Sequence, residues 1–179
     1  MKCYSAATGE AARGAAAVQG QMNTPEIFEG RCQCGQVVYR VVGESVAFFV
    51  CHCMECQRQS ASAFGMALWI KHSSKEVLEG ELRSWIRNTP TGRQQVCEFC
   101  DRCGTRVFHQ MSDQSQTLSI KPGTLNTPLN LEPVAHIWTS SARNWLRLPP
   151  GVLSYSQNPS SFDDIFAAWQ TRKTGAQFV

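Results

Sequence analysis

Closely spaced cysteines constrain the fold of this chain more than any other feature of its sequence. Nine cysteines occur in 179 residues, and eight of them fall into three groups. These groups are Cys32-Gln33-Cys34, Cys51-His52-Cys53-Met54-Glu55-Cys56 and Cys97-Glu98-Phe99-Cys100-Asp101-Arg102-Cys103. An odd total in clustered spacing is unlike the even, scattered set of a secreted disulfide scaffold. The pattern therefore predicts thiolate metal sites in a reducing compartment, and we expect a cytoplasmic protein.

The first and last groups share an ending that is typical of a zinc knuckle. Cys34 and Cys103 are each followed by a glycine. Glycine can adopt the positive φ that wraps the turn, so that backbone N–H groups point at the sulfur atoms. Two knuckles can together supply four thiolates to one closed, structural zinc ion. The predicted ligands are Cys32, Cys34, Cys100 and Cys103. Cys97 has no glycine after it, so we expect it to be a packed thiol on the preceding strand.

The middle group predicts a second zinc site that has an open coordination position. At the end of a strand, Cys51 and Cys53 would lie on one face and His52 on the other, because side chains alternate. A CxxC turn would then return Cys56 toward them. Three protein ligands and one exchangeable position are typical of catalytic zinc sites. Two alternatives stay open, namely a second closed site completed by His52, Cys97 or His109, and a redox CxxC pair.

Runs of β-branched and aromatic residues between turn signals predict a mainly β fold. The runs cover residues 36–42, 47–51, 64–70, 81–86, 106–111 and 117–120. Among the turn signals between them is Val42-Gly43-Glu44, so a turn is expected at Gly43. Because they are short and no long helices separate them, we expect small antiparallel sheets coiled around two zinc sites, and no parallel sheet. One helix is expected near residues 161–172, where Phe162, Ile165 and Trp169 recur at helical spacing.

The length and charge of the chain set its domain organisation and exclude some partners. Residues 25–179 are enough for a single zinc-binding β domain. Residues 1–24 lack the continuous apolar run of a signal peptide, so we expect a disordered leader, with Met22 as an alternative start of translation. No run approaches the ~20 apolar residues of a membrane helix. Seven thiolates and two Zn²⁺ would bring the formal charge of +3 to zero, and Lys and Arg are not clustered, so no nucleic-acid partner is expected.

Four segments of the sequence resemble the glutathione-dependent formaldehyde-activating enzyme family. They read RCQCGQVVYRV (31–41), CHCMECQRQSASAF (51–64), FCDRCGTRVF (99–108) and LSIKPGTLN (118–126). The resemblance runs from about Gly30 to Trp145. It implies a β-tent fold of small antiparallel sheets around zinc, akin to that of methionine-R-sulfoxide reductases.

The resemblance also implies an activity and a set of ligands. The activity is that of a carbon–sulfur lyase that joins formaldehyde to the thiol of glutathione, giving S-(hydroxymethyl)glutathione. The resemblance assigns the structural zinc to Cys32, Cys34, Cys100 and Cys103. It assigns the catalytic zinc to Cys51, Cys53 and Cys56. The expected cofactor is therefore two Zn²⁺ per chain, and the expected partners are a glutathione-like thiol and a small aldehyde. A non-catalytic zinc-binding interaction module is the alternative, because related proteins that share zinc ligands need not share a substrate.

Three further residues lie in or near these motifs. Arg58 follows the open cluster, and its planar guanidinium could hold a carboxylate of the peptide. Ala61 stands where members of the family commonly have glycine. Lys121, in Lys121-Pro122-Gly123, is interpreted as part of a turn.

Overall fold

The computed structural model describes residues 25–89, 92–113, 116–130 and 132–175. Within them the chain forms nine strands, two α-helices and two short 3-10 helices. The strands are β1 (Glu26–Arg31), β2 (Val38–Cys51), β3 (Gly65–Glu79), β4 (Leu82–Asn88), β5 (Gln94–Cys100), β6 (Arg106–Met111), β7 (Thr117–Ile120), β8 (Ala135–Ile137) and β9 (Leu153–Ser154), and the α-helices are α1 (Met54–Ser60) and α2 (Asp163–Gly175). The mainly β class with a C-terminal helix is thus confirmed. The leader predicted at residues 1–24 lies outside the described residues.

Hydrogen bonds join all the described strands into one sheet. Its order is β4-β5-β6-β7-β3-β2-β8-β9, and β1 pairs with β2 beside this path. Six of the pairings are antiparallel, but β8 pairs in parallel with both β2 and β9. Antiparallel pairing alone was expected, and the structure adds these two short parallel pairings to an otherwise antiparallel sheet. These two strands are only three and two residues long, which is too short to show the period-2 pattern on which strand prediction rests.

β2 is one long strand where the sequence predicted two. The predicted turn at Gly43 is a β-bulge, at which the register with β3 shifts between Val42 and Glu44. A Cβ atom on Gly43 would lie 2.6 Å from Cγ2 of Ile70 and 2.8 Å from the carbonyl oxygen of Lys71. Glycine is therefore required here by the close approach of β3, and the strand continues through it to Cys51.

The C-terminal helix predicted from its apolar spacing packs on β2. Ser161 caps its first turn, since its Oγ accepts from the backbone N–H of Asp163 at 3.2 Å. Ile165 and Trp169 are fully buried, and the indole N–H of Trp169 donates to the carbonyl oxygen of Ser45 at 3.1 Å. The helix thereby fixes the strand that carries Cys51 at its far end. Within the part of the chain that the structure describes, no helix has the length and apolarity to span a membrane.

Candidate metal centres

The first candidate centre joins the turn after β1 to the end of β5. The sulfur atoms of Cys32, Cys34, Cys100 and Cys103 all lie within 4.8 Å of one another. The Sγ atoms of Cys32 and Cys34 are 3.5 Å apart, and those of Cys34 and Cys100 are 3.9 Å apart. A tetrahedral zinc ion with Zn–S bonds of ~2.3 Å places its sulfur ligands roughly 3.8 Å apart. The four sulfur atoms are therefore at the spacing that such an ion requires.

The backbone around this first cluster has the conformation predicted for two knuckles. Gly35 and Gly104 adopt positive φ angles of 79° and 70°. The N–H of Gly104 donates to the carbonyl oxygen of Cys100 at 2.9 Å, which closes the turn. The N–H of Val37 donates to the Cys32 sulfur at 3.2 Å, a contact that stabilises negative charge on the sulfur.

Cys97 belongs to neither cluster of the described residues, and it is completely buried. It lies within β5, opposite Trp85 of β4 and His109 of β6. An extended strand turns its side chains to alternate faces, so Cys97 and Cys100, three residues apart, point to opposite sides of the sheet. Cys97 is therefore a packed thiol, as the absence of a glycine after it predicted.

The second candidate centre lies where β2 passes into α1. Cys51 is the last residue of β2, and Cys53 is the N-cap of α1, its sulfur accepting from the backbone N–H of Cys56 at 3.4 Å. The sulfur atoms of all three lie within 4.8 Å of one another. A Cβ atom on Gly65 would lie only 3.1 Å from Cβ of Cys56, so a glycine in β3 lets α1 approach the sheet. Sequence analysis predicted the convergence of the three sulfurs but not the helix.

The electrostatics of this three-cysteine cluster favour a bound cation. Hydrogen bonds from Cys51 and then Cys56 lower the pKa of Cys53 to about 2. The hydrogen bond to Cys53 is in turn the largest cause that raises the pKa of Cys51. One thiolate is thus stabilised at the expense of its neighbour, and a divalent ion would let all three ionise. Each cluster could hold a metal ion, and donor sets made only of thiolates suit zinc.

His52 points away from the three sulfurs, as strand alternation predicted. It is fully buried, and its Nε2 lies 2.9 Å from Nδ1 of His136 in a stacked pair of rings. The side chain of Gln57 donates to the carbonyl oxygens of His52 at 2.6 Å and Ser141 at 2.9 Å. These contacts of His52, His136 and Gln57 hold α1 in place on the side away from the three sulfur atoms.

No fourth ligand accompanies the three cysteines among the described His, Cys, Asp and Glu residues. Each of the three residues considered for that position is engaged elsewhere. His52 pairs with His136, Cys97 contacts the backbone oxygen of Gln95, and Nε2 of His109 accepts from Arg106 at 2.8 Å. The described residues thus offer three sulfur ligands at this site, and its open coordination position stays a prediction.

Lys121 lies beside the open cluster, which its interpretation as a turn residue did not predict. It follows β7, and its backbone N–H donates to the carbonyl oxygen of Val107 at 2.9 Å. Burial lowers the pKa of the Lys121 ammonium group, and the sulfurs of Cys56 and Cys51 oppose that effect. The ammonium group and the thiolates of the cluster therefore stabilise each other.

A β-bulge brings Arg106 to the same face of the sheet as His109. The register between β5 and β6 shifts at Phe99, which lies opposite Arg106, whereas Cys97 lies opposite His109. An extra residue in one strand re-aims the side chains beyond it, so two residues three apart in sequence can share a face. The 2.8 Å contact between Nη1 of Arg106 and Nε2 of His109 is the result. No local pattern in the sequence predicts this contact.

Arg58 lies on another side of α1. Its side chain is 69% exposed and pairs with Glu55 of the same helix. It lies two positions after Cys56, and helix positions two apart do not face each other. Together with Met54 and Trp145 it lines a shallow cavity of about 450 Å³ to which no cysteine contributes. The structure therefore does not bring Arg58 to the sulfur cluster.

The fold and the two clusters define a class of mainly β proteins with one four-cysteine and one three-cysteine group, each of which could hold a metal ion. Comparison with known families matches residues 27–141 to the glutathione-dependent formaldehyde-activating enzymes. The match covers more than half of the chain and includes both clusters, so the chain belongs to the glutathione-dependent formaldehyde-activating enzyme family. The family inferred from the four sequence segments is confirmed.

The other comparisons add little to this assignment. Among solved structures, the crystal structure of a Rhodobacter sphaeroides protein is similar to 72% of this chain and 99% of its own, with 19% identity and a TM-score of 0.45. A search of curated proteins found no match.

Proposed function

We propose that the protein is a zinc-dependent carbon–sulfur lyase that forms S-(hydroxymethyl)glutathione from glutathione and formaldehyde. The observation that carries this proposal is the cluster of Cys51, Cys53 and Cys56, to which the described residues add no fourth ligand. Such a cluster leaves one coordination position for the thiol of a substrate. Membership of a family of glutathione-dependent formaldehyde-activating enzymes supports both substrates.

The proposed reaction makes one carbon–sulfur bond. The thiol of glutathione loses its proton, its sulfur bonds to the carbon of formaldehyde, and the electrons of the C=O π bond move to the oxygen, which takes up a proton. Bound zinc would supply the positive charge that keeps the thiol ionised near neutral pH. The lyase direction is the reverse, in which the carbon–sulfur bond breaks and formaldehyde is released.

Lys121 is the residue best placed to assist this reaction. Its ammonium group lies close enough to the sulfurs of Cys56 and Cys51 to interact with their charge. From there it can donate a hydrogen bond to the aldehyde oxygen while negative charge develops on it. Its half-buried position strengthens that interaction, because the effective dielectric constant is lower than in water. Cys51, Cys53 and Cys56 hold the metal and so position the attacking sulfur.

Exchange of labelled formaldehyde tests this function directly. We expect the zinc-loaded protein to accelerate exchange between ¹³C-formaldehyde and its glutathione adduct, measured by exchange NMR at neutral pH. The reference is the same buffer with an equal concentration of zinc salt. A rate equal to that of the reference would remove the lyase function and favour the non-catalytic module.

Replacing Lys121 with methionine tests the role of its charge. Methionine keeps the length and apolar stem of the side chain but cannot donate to an oxyanion. We expect the exchange rate to fall ~100-fold, the usual loss for one donor to a developing oxyanion, with both metals retained. Lys75→Met is the matched control, because Lys75 pairs with Glu98 on the face of β5 opposite Cys97. A Lys121→Met rate within twofold of the wild type would exclude Lys121 from the chemistry.

A further inference from the structure

Arg106 is a positively charged side chain in the sheet that has no ion-pair partner among the described residues. Its guanidinium lies 6.0 Å from the ring centre of Trp85 and 5.9 Å from that of Phe99, and one end donates to His109. It is half-buried, and in the described ranges of the chain no carboxylate lies within ion-pair distance of it. Two aromatic rings and a hydrogen bond therefore hold in place an arginine whose remaining N–H groups have no charged partner.

Arg87 extends this positive region toward the helix that carries the cysteines. It lies two residues after Trp85 on β4, and therefore on the same face of the sheet. Its side chain is 22% exposed, and Nη1 lies 3.6 Å from Oε2 of Glu55, between Cys53 and Cys56 on α1. The same carboxylate also pairs with Arg58. One acid is thus shared by two arginines, and the region keeps an excess of positive charge.

These cations converge on the space next to the three-cysteine cluster. Burial lowers the pKa of His109 well below its usual range, and the charges of Lys121, Arg106 and Arg87 lower it further, so all three act on one imidazole, which Arg106 contacts directly at 2.8 Å. Lys121 lies within electrostatic range of both Cys56, whose charge raises the pKa of the ammonium group, and Arg106, whose charge lowers it. Lys121 can offset thiolate charge of the cluster, and Glu55 is shared between Arg87 and Arg58, which leaves the charge of Arg106 and part of the charge of Arg87 for a different anion.

We propose that Arg106 and Arg87 form a carboxylate subsite that binds one end of the thiol substrate while its sulfur lies at the three-cysteine cluster. This inference rests on the proposed function, because it assumes that a thiol enters there. The guanidinium fork matches a carboxylate in shape and charge, and the stacked, hydrogen-bonded Arg106 loses little freedom on binding. Glutathione carries its thiol in the middle and a carboxylate at each end, so it can reach both places. The subsite selects thiols with a carboxylate over neutral thiols.

Binding of glutathione and of its diethyl ester separates this subsite from the chemistry. The ester keeps the thiol but has neither carboxylate charge. We expect calorimetric titration of the zinc-loaded protein, without formaldehyde, to give at least ~10-fold tighter binding of glutathione than of the ester, as one charged hydrogen-bonded contact would. Arg106→Gln should remove most of this preference by weakening glutathione alone. Arg87→Gln should act in the same direction, and Arg106→Lys should keep part of the preference because it retains the charge but not the fork.

Arg58→Gln is the matched control, since Arg58 shares Glu55 with Arg87 but lines the separate cavity beside Trp145. It should leave the preference for glutathione unchanged. Equal binding of the two ligands by the wild type, or loss of the preference in Arg58→Gln alone, would overturn the subsite and leave the proposed reaction standing. A zinc-loaded wild type that binds neither ligand would overturn both. If Arg106→Gln does not fold with two metals bound, the subsite is tested by Arg87→Gln and by the binding of glutathione and its diethyl ester to the wild type.

Discussion

Replacing Cys100 with serine is expected to unfold the protein. Cys100 and Cys32 are almost completely buried, and their cluster joins the turn after β1 to the end of β5. A structural zinc site contributes ~10–16 kcal/mol to folding, which is comparable with the ~5–15 kcal/mol that stabilises a whole domain. A neutral serine hydroxyl cannot replace the buried thiolate, and loss of this metal would remove about as much stability as a whole domain has. We expect metal analysis to show loss of bound zinc and two-dimensional NMR to show an unfolded chain.

Cys97→Ser is the control for this experiment. It makes the same substitution on the same strand, at a residue that is equally buried but outside both clusters. A buried hydroxyl without a full set of partners costs ~1–3 kcal/mol, so this variant should stay folded with two metals and a lower midpoint of urea unfolding. The opposite result, in which Cys97→Ser loses a metal and Cys100→Ser does not, would contradict the ligand set.

The two clusters were predictable because their information is local. A pair of cysteines followed by glycine fixes its own turn, and Gly35 and Gly104 do adopt the positive φ that this reasoning required. The same reasoning excluded Cys97 as a metal ligand. The alternation of side chains along β2 placed His52 on the side away from the three sulfur atoms. In each case a few neighbouring residues determine where the side chain points. Metal binding itself stays a prediction.

The environment of the open cluster was not predictable, because it depends on pairing between distant strands. Lys121 comes near Cys56 because β7 pairs with β3. Arg106 contacts His109 because of the bulge opposite Phe99. Neither residue has a neighbour in sequence that indicates its role. Arg58 shows the converse, since it is close to Cys56 in sequence but exposed on another side of α1.

The predicted strands all lie within or overlap observed strands, but β1, the extent of β5 and the role of Gly43 were missed for related reasons. β5 (Gln94–Cys100) was expected only as a strand of unstated length before the last cysteine pair, and β1 (Glu26–Arg31) has just two buried residues, Phe28 and Gly30. Gly43 was interpreted as a turn, because glycine is more common in turns than in the interior of a strand. What requires glycine there is a contact with Ile70, 27 positions along the chain, and such a contact leaves no local signal.

Replacing Cys53 with serine is expected to abolish the reaction without unfolding the protein. The substitution keeps the local structure, because the Cys53 side chain caps α1 by accepting from the N–H of Cys56, and serine is a preferred residue at that position. It removes one of the three thiolates, however, and a neutral hydroxyl is a poor zinc ligand. We expect one metal per chain instead of two, and an exchange rate of labelled formaldehyde equal to that of buffer.

The pattern of the two serine variants distinguishes the roles of the two centres. Cys100→Ser should lose the fold and therefore everything else, whereas Cys53→Ser should keep the dispersed NMR spectrum and the metal of the four-cysteine cluster. Cys97→Ser again serves as the control and should retain its exchange rate. Cys53→Ser with half or more of the wild-type rate would exclude the three-cysteine cluster from the chemistry. Unfolding of Cys53→Ser together with loss of both metals would instead mean that this cluster, like the first, holds the fold together.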